Sequence, residues 1–411
     1  MIAQGIVGDL DLKEMSKFYS YARRVRHCVA RGVFSINTTS CVQLSQLEHG
    51  LLPLLNSLSI PNVNMHKDRF PILLPSLVRS RLLSSIECSF DNNKHAVGWF
   101  LKSVSESILT LRHIGLTGTL QREHISCLSH LHRLQSLSLQ WLEGPCTYEI
   151  IDALSYLQLT QLTLGLETLE QAPRQNMAHN PFPVLISLRL DARMPPILYI
   201  LDAISGDRLK SLQILEYDVD ATRISEAAEQ HSRIYQNFAR FASLRQVAHC
   251  LNVGFSQTWT DIDSHHSSPL SVVQPLLGLR HLEDVELEFL QPWFRLSDND
   301  ISDLAVAIPL VKNLHLMPFT ETDIVNPTFE SLRFLASNCR ELISLTITID
   351  TKMLPSPSTP IQPHGLQDLD LLSTTIDRPL LFATLLRPLF PHLRSVYGDG
   401  LQEIRSMLVS C

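Results

Sequence analysis

Four side chains able to ligate a metal crowd one short stretch of this sequence: His124, Cys127, His130 and His132. Imidazole nitrogen and thiolate sulfur are the donors zinc favours. The stretch Ile125-Ser-Cys-Leu-Ser-His-Leu-His132 reads as helix, which puts Cys127 and His130 near one face, and no second cluster completes four ligands. Packed and solvated histidines are the expectation. A second stretch, Asp261-Ile-Asp263-Ser-His265-His266, carries carboxylates and imidazoles in a predicted loop, without the D-x-[DN]-x-[DN]-G pattern of a calcium loop. The motifs G-x-S-x-G, G-x-x-x-x-G-K-[ST], H-E-x-x-H and G-x-G-x-x-G do not occur. Gly115-Leu-Thr-Gly118 is too short to cradle a phosphate and falls where a turn needs glycine. The expectation is a chain that is not an enzyme and holds neither metal nor cofactor.

A third set of candidates has meaning only through the elements that carry it. Leucine supplies 71 of the 411 residues, far above the usual share, while 18% are charged and the net charge is −7. Low charge and abundant aliphatic residues exclude global disorder. A pI near 6.2 excludes a nucleic-acid-coating protein, which needs a Lys/Arg surplus. The leucines recur as apolar-x-x-apolar-x-apolar triplets along most of the chain. These run from Leu55-Leu58-Ile60 and Leu83-Ile86-Cys88 through Leu185-Leu188-Leu190, Leu212-Leu215-Tyr217 and a weak Leu244-Val247-His249. They continue through Leu282-Val285-Leu287 and Val311-Leu314-Leu316 to Leu366-Leu369-Leu371 and a weak Leu393-Val396, with first positions 23 to 38 residues apart. Val25-Cys28-Ala30 reads as a further degenerate copy.

The last two positions of each triplet lie two apart and therefore share one face of a short strand. Helix-compatible stretches such as 301–308 and 329–336 separate the strands. One unit cannot bury its apolar face alone, whereas stacked neighbours make one continuous core. The expected fold is α/β, a leucine-rich-repeat solenoid with parallel concave strands and convex helices. The Asn or Cys that regular repeats carry nine places in is mostly missing, so an irregular horseshoe is expected. Residues 1–50 read as a cap with a first degenerate repeat, and 51–411 as the repeat domain. Polar, proline-bearing stretches near 254–275 and 351–364 read as loop insertions.

Residues flanking each inward pair should face the open side of the sheet. In the later units several are acidic: Glu216 and Asp218, then Asp284, Glu286 and Glu288 along one strand, then Asp368 and Asp370. Neighbours along that strand lie about 7 Å apart and repel, so a basic partner segment would relieve a cost borne by the free chain. Regional charge agrees: residues 1–100 hold 11 Lys/Arg against 7 Asp/Glu, and 276–411 hold 10 against 17. Trp293 and Phe294, just past the acidic strand, are the expected apolar anchors. Arg23, Arg24, Arg26 and Arg31 form a basic patch expected to solvate the N-terminal cap.

Met1–Asp9 lacks the basic start and apolar core of a secretory signal, and no run approaches the roughly 18 apolar residues of a membrane span. Ile2 stands where myristoylation needs glycine, and Cys411 is last instead of fourth from the end, so no lipid anchor is signalled. The eight cysteines are dispersed with no C-x-x-C pair and read as reduced. The expected setting is cytoplasmic or nuclear, without membrane or nucleic-acid partners.

The chain as a whole resembles the divergent F-box/leucine-rich-repeat proteins of mushroom-forming fungi. The resemblance is carried by Phe18-Tyr-Ser-Tyr-Ala-Arg-Arg-Val-Arg26, by Phe182-Pro-Val-Leu-Ile-Ser-Leu188 and by Leu335-Ala-Ser-Asn-Cys-Arg-Glu-Leu-Ile-Ser-Leu345. It implies the substrate-recognition region of a cullin-type ubiquitin ligase, docking on a Skp-type adaptor if an F-box lies upstream. The Leu-Pro-rich start and Asp-Leu to Cys-Arg-x-Trp run of an F-box are not found in these residues. A free-standing leucine-rich-repeat scaffold or inhibitor is the competing expectation.

Overall fold

The computed structural model describes residues 12–29, 51–63, 79–90, 94–108, 110–118, 124, 127–146, 148–169, 182–217, 224–252, 269–289, 296–318, 327–355, 363–372, 374 and 376–398. The chain forms two compact units, Met1–Ile186 and Ser187–Cys411. In the first, β1 (His27–Val29), β2 (Ser57–Val63), β3 (Ser85–Phe90), β4 (His113–Thr117), β5 (Ser136–Cys146) and β6 (Gln161–Leu169) pair in chain order. Every pairing is parallel; among the described residues α1 (Leu12–Ala22) precedes β1, and α2 (Lys94–Ser107) and α3 (Tyr148–Ser155) lie between strands.

The second unit repeats the pattern. Its strands are β7 (Ser187–Ala192), β8 (Ser211–Tyr217), β9 (Gln246–Asn252), β10 (Asp284–Phe289), β11 (Asn313–Pro318), β12 (Ser344–Thr346), β13 (Asp368–Leu371) and β14 (Ser395–Gly398), again parallel and in chain order. Between them come α4 (Met194–Ala203), α5 (Ile224–Ala239), α6 (Pro269–Val273), α7 (Asp298–Ala307), α8 (Phe329–Asn338) and α9 (Pro379–Leu389). Parallel strands in chain order, with helices returning between them, make each unit a leucine-rich-repeat solenoid. Among the described residues no helix is long and apolar enough to cross a membrane.

Two backbone devices recur in most repeats of the described residues. The first leucine of a triplet closes a tight turn by donating its N–H three residues back, as Leu55 does to Leu52, Leu185 to Phe182, Leu244 to Phe241 and Leu342 to Cys339. Just before the strand, one carbonyl accepts two successive N–H groups from the next repeat. Arg245 O takes those of Glu283 and Asp284, Glu283 O takes those of Lys312 and Asn313, and Lys312 O takes those of Ile343 and Ser344. These bonds lock the register, and with it the face on which each side chain lies.

The triplets supply the core. Leu188 and Leu190, Val285 and Leu287, Leu314 and Leu316, and Leu369 and Leu371 point inward and are buried. One triplet differs from the reading of its spacing. The turn donor in that repeat is Leu209, bonded to Gly206 O, and Leu212 and Ile214 are the inward pair, in register with Val247 and His249. Leu209-Leu212-Ile214 and Leu212-Leu215-Tyr217 both fit the pattern and overlap. A shift of three reverses the face, because strand side chains alternate.

The stretch near 254–275 also departs from a plain loop: its last residues form α6 and a short 3₁₀ turn, Gln274–Gly278. The starts of α7 and α8 are fixed by side chains, some of which stitch neighbouring repeats. Ser297 and Asp300 form a capping box at the start of α7. Asp298 in turn accepts from Thr328 N at 2.8 Å, from Thr328 Oγ1 at 2.7 Å and from Ser331 Oγ at the start of α8. A carboxylate holding three donors should contribute about 1–3 kcal/mol. Asp298→Ala is therefore expected to lower the free energy of unfolding by that amount, read as a lower denaturant midpoint at unchanged m, and an unchanged midpoint would show the stitch to be idle.

Candidate functional site

The open face of the second unit is organised in rows that run across the strands. One row is Ser211, Gln246, Asp284, Asn313, Ser344, Asp368 and Ser395; the next is Gln213, Ala248, Glu286, His315, Thr346, Asp370 and Tyr397. Asp284, Glu286 and Glu288 thus share a strand as their spacing implied, and Asp368 and Asp370 occupy the same two rows three strands on. At about 4.8 Å per strand, the two acidic strands lie about 14 Å apart. A depression of about 420 Å³ crosses β10 from β8 to β12, lined among others by Gln246, Asp284, Glu286, His315 and Thr346.

The acids are better satisfied than charge counting alone suggests. Asp284 accepts from Gln246 Nε2 at 2.9 Å on one side and from Asn313 Nδ2 on the other. Asp368 accepts from Ser395 Oγ. Glu288 Oε1 lies 3.6 Å from His315 Nε2. One position before these strands begin, Glu283 sits between Arg245 at 2.9 Å and Lys312 at 2.7 Å. Glu286 and Glu288 form no ion pair with Lys or Arg among the described residues, and they converge with the Cys250 thiol into a half-buried group of potential metal donors. Burial first, then both carboxylates, push that thiol well above its ordinary range, so it stays protonated and unreactive. Asp218, Trp293 and Phe294 lie outside the described residues.

Glu216 does not belong to the open face. The register of β8 turns it inward, where it is fully buried. Its Oε2 meets His231 Nε2 at 3.0 Å and His249 Nε2 at 3.4 Å, and Tyr235 OH meets His249 Nδ1 at 2.8 Å. His231, Ile234, Tyr235 and Phe238 form the buried stripe of α5, spaced as one helical face. The inward histidine of β9 completes the group. Two sequence signals mark it: His249 at the third apolar position of its triplet, and an acid continuing the inward parity of Leu212 and Ile214.

Burial alone would raise the Glu216 carboxyl. The charge and hydrogen bond of His231, with the hydrogen bond of His249, outweigh it and hold the group at about 2. Burial pushes His249 below its ordinary 6.5 against the pull of Glu216. Both shifts make acid destabilising. His249 prefers its neutral form when folded, so the stability it allows above pH 6.5 is lost as pH falls below that value. Glu216 prefers its charged form, so its contribution, complete above pH 4.5, is lost as pH falls toward about 2. In metal-free protein the thermal midpoint should therefore fall in two stages on acidification, and a midpoint flat from pH 7 to about 3 would contradict the assignment.

The remaining candidates do not assemble. His124 is buried against Gly98 of α2, Cys127 is half-buried, and His130 and His132 are exposed; among the described residues they form no common donor group. Asp261, Asp263, His265 and His266 lie outside the described residues. Gly115 sits within β4, where Glu87 lies across it, and the turn falls at Gly118, with φ 131°. Arg23, Arg24 and Arg26 are exposed as expected. Cys28, Cys88, Cys127, Cys250 and Cys339 are free thiols.

Ser136 Oγ lies 2.7 Å from His113 Nδ1, and His113 Nε2 lies 3.6 Å from Glu87 Oε1, the order of a nucleophile, base and acid. The three occupy adjacent strands of a paired sheet whose N–H groups are engaged in the ladder, which leaves this flat face without the paired donors an oxyanion requires. The contact is that of lateral neighbours in a row, as His27 with Ser57 at 2.7 Å.

No family model and no curated protein matches the chain. Among solved structures, an internalin from Listeria monocytogenes is similar over 93% of this chain and 89% of its own, at a TM-score of 0.43 and 14% identity.

Proposed function

We propose that the chain is a protein-recognition module, and that the open face of its second unit binds a basic, extended segment of a partner protein. The observation that carries this reading is the pair of acidic strands on one face, Asp284, Glu286 and Glu288 on β10 and Asp368 and Asp370 in the same two rows on β13, with a depression crossing β10. An extended segment rises about 3.3 Å per residue, so four to five residues span the roughly 14 Å between them. The amide and hydroxyl groups between the acidic strands, on Asn313, Ser344 and Thr346, suit backbone contacts without demanding one side chain. Glu286 and Glu288 keep charge that a Lys or Arg of the partner would meet.

The test is a Lys/Arg-rich peptide carrying a photo-crosslinker. Adducts on β10 to β13 support the reading, and adducts confined to α7, α8 and α9 overturn it. The finer role, recruiting a substrate for ubiquitin transfer, draws its support from the F-box resemblance alone. Co-purification of the full-length protein with a Skp-type adaptor tests it against the free-standing scaffold or inhibitor.

A further inference from the structure

We infer that Glu216, His231 and His249 form a buried binding site for a divalent transition-metal ion, zinc above all. The site is independent of the open face and of the recognition role assigned to it. Two imidazoles and one carboxylate are a donor set that zinc takes, with nitrogen and oxygen each about 2.0–2.2 Å from the ion. Ligands at those distances around a tetrahedral ion stand about 3.3 Å from one another. Both Nε2 atoms lie near that separation from Glu216 Oε2, at 3.0 and 3.4 Å. The three donors all lie within 4.8 Å of one another, on side chains that are 0%, 3% and 1% exposed.

A second observation points the same way. Glu216 Oε1 is buried and accepts no hydrogen bond among the described residues, although a carboxylate oxygen sealed from water needs a partner. An ion held by Oε2 and the two Nε2 atoms supplies beside this oxygen the positive charge it lacks. The outer contact is in place as well. Tyr235 OH, 2.8 Å from His249 Nδ1, accepts the proton that this nitrogen carries once Nε2 binds a metal, which fixes the tautomer and the ring. The ring centroids of His231 and His249 stand 5.5 Å apart, as expected of two imidazoles converging on one point without stacking. Because β8, β9 and α5 enclose the site, the ion enters as the unit folds and release requires opening it.

The experiment unfolds the full chain with chelator, refolds it with and without one equivalent of zinc, and measures bound metal by mass spectrometry after gel filtration. About one zinc per chain is expected, with a higher thermal midpoint than the metal-free protein. His231→Gln and His249→Gln, whose amides still reach Glu216, should each retain less than a tenth of it. Cys250→Ser should retain it in full. Cobalt in place of zinc should give the visible bands of a tetrahedral nitrogen and oxygen site without thiolate charge transfer. Less than a tenth of an equivalent in the wild-type chain overturns the inference without reference to any variant. So does zinc retained in both histidine variants, or zinc lost with Cys250→Ser.

Discussion

Glu216→Ala, in metal-free protein held in chelator, should lower the free energy of unfolding by about 3–5 kcal/mol, among the largest losses any single side chain can give. The physical reason is asymmetry. Inside the core Glu216 Oε2 is held by His231 and His249, and His249 in turn by Tyr235. Removing the carboxylate alone leaves the Nε2 atoms of two buried imidazoles, which have already lost their water, without this acceptor. The same argument predicts a rescue. Replacing Glu216, His231 and His249 by Leu, with Tyr235→Phe so that no hydroxyl is orphaned, removes the polar demand altogether. That fourfold variant should recover most of the loss, since buried ionic groups exchanged for apolar ones of similar volume are often neutral. Denaturant titration of the three proteins checks it. A Glu216→Ala protein within about 1 kcal/mol of wild type would show that the carboxylate is not confined as described.

Gly206→Ala should cost nearly as much, about 2–5 kcal/mol, for two reasons that add. The residue has φ +72°, where a side chain strains the backbone, and its carbonyl closes the turn that starts the repeat at Leu209. A Cβ there would stand 1.9 Å from Cδ1 of Phe241, which is itself completely buried and has nowhere to retreat. Gly278→Ala is the control, because nothing lies within 4 Å of its Cβ position. It should stay within about 0.5 kcal/mol of wild type. Equal midpoints for the two variants would contradict the packing at Phe241.

Leucine spacing made most of the fold legible. Position two and three of each triplet became the inward pair of a strand wherever one choice of triplet existed, as at Leu188 and Leu190 or Leu314 and Leu316. Between Leu185 and Leu244 two overlapping triplets compete, and the winner is decided by contacts far away in sequence. Gly206 turns under Phe241, and Leu212 pairs with Val247. Local pattern carries neither fact, so spacing alone puts Glu216 on the wrong face.

The open site was more readable. The alternation of β10 and β13 places their acids without further information, because one face of each strand is an unbroken apolar run. The lateral partners were not readable in the same way. That Gln246 and Asn313 sit beside Asp284 follows from the register of three strands, which the paired N–H groups on Arg245 O and Glu283 O establish. His231 lies in an apolar helical stripe that a sequence displays, yet nothing local says that its partners are an acid 15 residues before and a histidine on the following strand.

The claim that the acidic face is a recognition surface stands or falls on one titration. A fluorescent Lys/Arg-rich peptide is bound to the wild-type chain and to the triple variant Asp284→Lys, Glu286→Lys and Glu288→Lys, at two salt concentrations. The wild type should bind the peptide, more weakly at high salt, and the variant should lose about tenfold or more in affinity together with that salt dependence. Equal affinity and equal salt dependence in the two proteins, with both folded, would contradict the account.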